Sequence, residues 1–223
     1  MPNPDVHPVL VPGAWMGAWI WEPTVERLRA RGIDAGTLTL RGLEPGLDDA
    51  AIAAVTLEDH VQQLVDHVRE LPGPVVFVSH SYSGTVTACA ADRLGGAVAG
   101  LGHVGAFLPE DGRSLLDGWG GSDAERAQER ADIDAAGGLW AAPTREMLDH
   151  EPGLNPGDRG FLTARFTPHP GRTVTDHARL SVPVSDQSST SVELPEAGHW
   201  PMLAAPEATT DLLEKEIRRY TNG

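Results

Sequence analysis

The sequence predicts an α/β protein: a mostly parallel central sheet with helices on both faces. Three observations predict it. Short apolar runs alternate with stretches of helical spacing from His7 to Leu108. The run Pro74-Val-Val-Phe-Val78 is apolar throughout, as a strand covered on both faces must be. The 223 residues contain one cysteine, Cys89, so a packed core and not a disulfide framework has to hold the fold.

The elements follow in order. His7-Pro-Val-Leu-Val11 is an apolar run that stops at Pro12-Gly13, a strand and then a turn. Trp21 to Arg31 sets Val25 and Leu28 among charges before Gly32, an amphipathic helix with a glycine stop. Ile33 to Leu40 alternates with β-branched residues and predicts a second strand. Arg41 to Val55 is loop. Thr56-Leu-Glu-Asp59 has the form of a capping box with Asp in the reciprocal position, and Val61, Leu64, Val65 and Val68 continue at helical spacing. Pro74–Val78 is the central strand, Thr85–Leu94 a helix of small residues, and Ala97–Leu108 a further strand. After Pro109 the alternation stops. The negatively charged stretch 110–165, helical around Ala124–Ala136, reads as a lid-like insertion into one domain spanning 1–223. Ser191-Val-Glu-Leu194 is a last short strand, and Pro206–Tyr220 a terminal helix that starts with proline.

Charge and composition remove several functions. Lys+Arg number 17 against 32 Asp+Glu, a net charge of −15, which repels phosphate backbones and anionic membranes. The one lysine, Lys215, lies near the C-terminus and not in the glycine-rich turn of a phosphate-loop NTPase. A single thiol excludes multi-cysteine zinc and iron–sulfur sites. His60 and His67 stand seven apart, not at the i, i+4 spacing of a zinc helix, so no metal is expected. Gly100-Leu-Gly-His-Val-Gly105 matches a dinucleotide fingerprint as a string, yet it runs inside a strand and opens no helix. No apolar stretch approaches ~18 residues. Met1 to Asp5 carries no secretory features, which makes a cytoplasmic protein the expectation.

Chemistry concentrates in three segments. Val78-Ser-His-Ser81-Tyr-Ser-Gly84 lies where the buried strand turns into a helix, the context of a nucleophile elbow. Small residues are needed two places either side of the nucleophile, and Ser79 and Ser83 fill those places. Gly198-His199 follows the last strand, where an imidazole can reach back to the elbow as general base. Val11-Pro-Gly-Ala14-Trp15 follows the first strand, where backbone N–H groups can face an oxyanion; Ala14 and Tyr82 are the expected donors. Taken singly, Ser81 reads as a helix N-cap and His199 as a loop residue packed by Trp200. Their joint placement with Gly13 reverses that reading.

Together these segments resemble the α/β-hydrolase superfamily, and within it the small branch holding plant methyl-ester esterases and hydroxynitrile lyases. The resembling residues are Val-Pro-Gly-Ala-Trp-Met-Gly-Ala-Trp-Ile-Trp (11–21), Ser-His-Ser-Tyr-Ser-Gly (79–84), Ala-Phe-Leu-Pro-Glu-Asp-Gly (106–112) and Gly-His-Trp-Pro-Met (198–202). The resemblance implies the α/β-hydrolase fold, with Ser81 as nucleophile, His199 as base, and the N–H groups of Ala14 and Tyr82 as the oxyanion hole. It implies no cofactor. Pro12 departs from the branch where a histidine usually precedes the loop glycine.

A second departure concerns the acid. Relatives place a strand, an acidic residue and a helix before the final strand. Only Asp176–Ser191 is available here, and a parallel crossover needs about a dozen residues or more. The chain is therefore shortened near its C-terminal strands. Asp186 is the first choice for the acid by sequence order, with Glu110 and Asp111 as substitutes and a Ser–His dyad as the remaining option.

The reaction expected is hydrolysis of a small, largely apolar carboxylic ester or lactone, with Trp15, Trp19 and Trp200 lining the substrate pocket. Two alternatives stay open: a lyase or cyclase of natural-product metabolism on the same fold, and a catalytically silent binding protein. The expected partner is a small molecule, with no nucleic acid and no membrane. Oligomeric state is open, a homodimer included.

Overall fold

In the computed structural model residues 6–191 and 197–221 are described. Strands β1 His7–Val11, β2 Gly36–Thr37, β3 Val75–His80 and β4 Val98–Val104 come first. β5 Leu139–Trp140 and β6 His169–Pro170 pair with each other, antiparallel, away from the main sheet. β7 Ser189–Ser191 returns to it. The main sheet is parallel in the order β2-β1-β3-β4-β7.

Alternation along the strands builds two cores. Val9, Val11, Val75, Phe77 and Leu101 face one side, where they meet Leu57, Val61, Leu64, Val65 and Val68 of the helix Leu57–Arg69. Leu10, Val76, Val78 and Val104 face the other side, with Val25 and Leu28 of the helix Glu22–Ala30 and Leu213 and Ile217 of the helix Pro206–Thr221. Every residue of β3 is buried, which is why its first four, Val75–Val78, are apolar without a break.

The capping box forms as read. The Thr56 hydroxyl accepts the Asp59 N–H at 3.1 Å and the Asp59 carboxylate accepts the Thr56 N–H at 2.9 Å. The strand expected over Ile33–Leu40 pairs only at Gly36 and Thr37. Past that point side chains take over: the Thr39 hydroxyl accepts the Ala18 N–H and the Thr39 carbonyl accepts the Gln63 amide. The last strand begins at Ser189, ahead of the expected Ser191; residues 192–194 lie outside the described residues.

Gly100 of β4 has a packing role. A Cβ there would lie 2.2 Å from Cζ of Tyr220, so the bare strand seats the ring of the C-terminal helix. The Gly-x-Gly-x-x-Gly string is strand and ring seat, not a phosphate loop.

The stretch between β4 and β7 leaves the sheet altogether. It carries the helices Asp123–Ala135, Arg145–Leu148, Pro156–Thr163 and Arg172–Thr175 and the β5–β6 ribbon. It comes back against the C-terminal ends of the strands: the Thr167 N–H donates to the Trp15 carbonyl at 3.1 Å. Among the described residues no helix is long and apolar enough to cross a membrane.

Candidate active site

Ser81 follows β3 directly, and its φ of 53° is in the left-handed region. A side chain resists that conformation, and strain of this kind persists only where the surroundings enforce it. The surroundings here are specific. The Ser81 N–H donates to the Val104 carbonyl at 3.3 Å, and the Ser81 carbonyl accepts the Phe107 N–H at 2.9 Å. The Ser83 hydroxyl accepts the His80 N–H at 2.9 Å and lies 2.8 Å from the Val11 carbonyl oxygen and 2.9 Å from that of His80. The Ser79 hydroxyl lies 2.8 Å from Nδ1 of His103 on β4. The two serines at the small positions thus tie the turn to the strands on either side. Close approach itself is carried by Gly84, where a Cβ would sit 2.4 Å from the Phe107 oxygen.

The loop after β1 passes over this turn. A Cβ at Gly13 would lie 2.9 Å from Ser81 Cβ, so only glycine lets the two segments meet. Ala14 and Tyr82 are each 1% exposed, and their N–H groups make no hydrogen bond among the described residues. Buried backbone donors are rarely left unpaired, and an oxyanion site is one reason for it. The next residue, Trp15, has φ 63° and all its polar groups taken. Its N–H donates to Nδ1 of His169 at 3.3 Å, its indole N–H to the Trp140 carbonyl at 3.1 Å, and its carbonyl accepts from Thr167.

Behind the loop the histidines are neutral. His60 is pulled down to about 4 by burial; its Nε2–H donates to the Arg41 carbonyl at 2.6 Å, which leaves Nδ1 to accept the Tyr82 hydroxyl at 2.9 Å. His169 is held well below the ordinary histidine value, again by burial. Nδ1 takes the Trp15 N–H, so Nε2 carries the proton toward Thr173 Oγ1 at 2.8 Å. His80 is lowered to about 3 by burial and by His199. Its Nε2–H donates to the His199 carbonyl at 2.7 Å.

His199 lies 19 places after Leu180 and returns to the elbow. Its ring centroid is 4.8 Å from that of His80, the residue before Ser81. Its Nδ1 would be 3.7 Å from a Cβ at Gly105, and Gly105 sits between the two residues, Val104 and Phe107, that hold the Ser81 backbone. Ser81 and His199 therefore share one strand end. The Ser81 hydroxyl makes no hydrogen bond among the described residues, a state common in unliganded sites. Burial lowers the His199 imidazole, and the charge of Glu151 opposes that shift.

The expected acids do not reach it. Asp186 closes the turn Val184–Asp186 ahead of β7, is exposed, and accepts only the Ser185 hydroxyl at 3.1 Å. His199 follows β7, so strand direction puts the two toward opposite ends of that strand. Glu110 pairs with Arg113 at 3.1 Å, and Asp111 accepts the Leu180 N–H at 3.0 Å. Of the three tryptophans, Trp15 packs on Trp140 with centroids 4.3 Å apart, half-buried Trp19 meets Phe161 at 5.3 Å, and Trp200 is 4% exposed with its indole N–H on Met16 sulfur at 3.4 Å. His169, Trp140 and Glu151 were not legible in the sequence, because no motif surrounds them. Among the described residues no group of three or more His, Cys, Asp or Glu is placed to hold a metal ion.

Comparison with known proteins agrees with this architecture. A carbendazim hydrolyzing esterase of Nocardioides sp. (strain SG-4G) is 36% identical over 112 residues, 48% of this chain and 45% of that one. An alpha-hydroxynitrile lyase of Arabidopsis thaliana is 33% identical over 107 residues, 47% of this chain and 41% of that one. The chain thus spans about half the length of the curated relatives it matches. Among solved structures, an extracellular alpha/beta-hydrolase from a Paenibacillus species superimposes with a TM-score of 0.82 at 18% identity, covering 94% of this chain and 98% of that one. The profile of the Alpha/beta hydrolase family matches residues 9–212. A strained serine at the head of the central strand, a histidine loop at the same strand end and a match over nearly the whole chain lead to one conclusion: the chain belongs to the alpha/beta hydrolase family.

Proposed function

We propose that the chain is a serine hydrolase of small, largely apolar carboxylic esters or lactones, with the β4–β7 segment as its lid. The observation that carries this reading is the left-handed turn at Ser81, held between β1 and β4 with its hydroxyl unpaired among the described residues. Ser81 Oγ attacks the ester carbonyl carbon while His199 accepts its proton; the carbonyl oxygen becomes an oxyanion against the N–H groups of Ala14 and Tyr82. As the C–O bond breaks, His199 returns the proton to the departing alcohol. Water then repeats the sequence on the acyl-enzyme and frees the acid. Trp19 and Phe161 at the lid boundary favour apolar substrates, and the net charge of −15 disfavours anions.

A fluorophosphonate probe tests the proposal. It is expected to label Ser81 in the folded protein, and Ser81→Ala is expected to lower turnover of short-chain aryl esters by about 10³-fold or more while stability changes by less than about 2 kcal/mol. Retained turnover in that variant overturns the nucleophile assignment. A second reading, a lyase that uses Ser81 and His199 as a proton shuttle, is favoured by the hydroxynitrile lyase relative and by the absence of a strand-borne acid beside His199 among the described residues. Probe labelling with no turnover across aryl and alkyl esters distinguishes it.

A further inference from the structure

The serine–histidine reading raises the question of what orients His199. We propose that Glu151, on the lid after the helix Arg145–Leu148, is the positioning carboxylate of His199, supplied from above the sheet and not from a strand end. The inference rests on that reading and goes one residue beyond it.

Geometry singles out Glu151. Its Oε2 accepts the backbone N–H of His199 at 3.4 Å, so it holds the main chain of the histidine loop and not a ring nitrogen. The approach is built into the chain: Gly198 has φ 61°, and a Cβ there would lie 2.3 Å from the Pro152 carbonyl oxygen and 3.5 Å from Glu151 Oε2. Any side chain at position 198 would drive the Glu151 turn away from the histidine loop. Half-buried in that contact, Glu151 holds its charge close enough to the half-buried His199 to oppose the lowering of the imidazole by burial.

The topology explains why the lid has this role. β7 pairs directly with β4, and the chain passes from β7 to His199 with no further described strand between. Among the described residues no strand end holds an acid beside the histidine. His199 Nδ1 faces Gly105, which has no side chain to offer. Among the described residues the carboxylate in contact with the histidine loop comes from the lid.

The consequence is coupling. A strand-borne acid orients its histidine whether the pocket is open or closed. Glu151 grips the His199 main chain only while the lid is docked, so the histidine loop is fully fixed only over an enclosed substrate.

Among the described residues the titratable groups packed against His199 are Glu151 from the lid and His80 from the elbow, and burial keeps His80 neutral down to about 3. Glu151→Gln keeps the acceptor for the His199 N–H and removes the charge. The test measures two things in wild type and in this variant: the His199 imidazole titration by NMR, assigned with His199→Asn, and the pH profile of ester turnover.

The expected result is a His199 titration at lower pH in Glu151→Gln. With it, kcat should fall about tenfold or more and KM should change less than about twofold. Glu151→Asp, with the charge on a shorter arm, should recover part of the loss. An unchanged His199 titration in folded Glu151→Gln overturns the proposal. Should Glu151→Gln not fold, the Glu151→Asp titration and profile decide the matter in the same way. The NMR arm needs no substrate. A shifted titration in a protein that turns over no ester would support Glu151 and sink the hydrolase reading; an unshifted one in an active esterase would do the reverse.

Discussion

The two sides of the site are held by different parts of the molecule. The elbow is held by its neighbours in the sheet: Ser79 bonds β4, Ser83 bonds the end of β1, and Ser81 hangs between Val104 and Phe107. The facing side is held by the lid. Trp15 next to the oxyanion loop is bound at every polar group by Trp140, Thr167 and His169, and His199 is met by Glu151. Ser81 is thus built into the scaffold, whereas its surroundings are assembled by a segment inserted between β4 and β7. On the proposed reading, rigid placement of Ser81 and conditional placement of the groups around it let a pocket admit substrate before the machinery is complete.

Acid is expected to give the largest effect and to strike this division directly. His60, His80 and His169 are buried and neutral when folded, with values of about 4, about 3 and well below the ordinary one. Unfolded, each titrates near 6.5, so below that pH the unfolded chain binds more protons than the folded one. Stability is complete above about 6.5 and falls as pH drops toward the folded values, by up to about 1.4 kcal/mol per pH unit for each histidine. Urea denaturation at pH 7, 6 and 5 measures it, above the range in which carboxylates contribute. A flat result would break the claim that neutral histidines support the oxyanion side.

A smaller effect separates the two sides at one residue. His169→Leu removes the acceptor for the buried Trp15 N–H and should cost about 1–3 kcal/mol. Turnover should fall about 10²-fold, as for loss of an oxyanion donor, while labelling of Ser81 persists because the elbow does not depend on the lid. His169→Asn, whose Oδ1 stands near the place of Nδ1, should restore much of both. Equal loss in the two variants, read from melting curves and kcat, would mean that ring packing and not the hydrogen bond holds Trp15.

The smallest effect is expected at Asp186. Asp186→Asn should leave kcat/KM within about twofold, because the carboxylate is exposed and tied only to Ser185. A large loss would require the region around β7 to rearrange and would restore an acid carried ahead of the final strand.

Legibility in the sequence followed the same division. The elbow is a local object: an apolar strand, small residues around Ser81 and a helix within a few places, all set by short-range sterics. The buried strands and the helix Leu57–Arg69 were readable for the same reason, since periodicity and caps act over a turn or two. The lid contacts are not local. Trp15 and His169 stand 154 residues apart, Trp15 and Trp140 125 apart, and Glu151 and His199 48 apart. No spacing rule links such pairs, and Thr167-Pro-His169-Pro carries no signature. The segment Asp176–Ser191 was expected, by comparison with the family, to be too short for a further strand, acid and helix, and no motif in the sequence points to the Glu151 contact. Asp186 was preferred because order along the chain stood in for position, and strand direction reverses that inference.

The seat that Gly100 offers to Tyr220 has a practical side. The aromatic ring stands in the last turn of the helix Pro206–Thr221, and it caps the flank of the strand that holds Ser81 from behind. A purification tag fused there, or a cut that removes the last helical turn, would unplug a bare stretch of backbone and loosen the sheet at a point far from the pocket. Loss of activity in such a product would then report a missing stopper, not damaged chemistry.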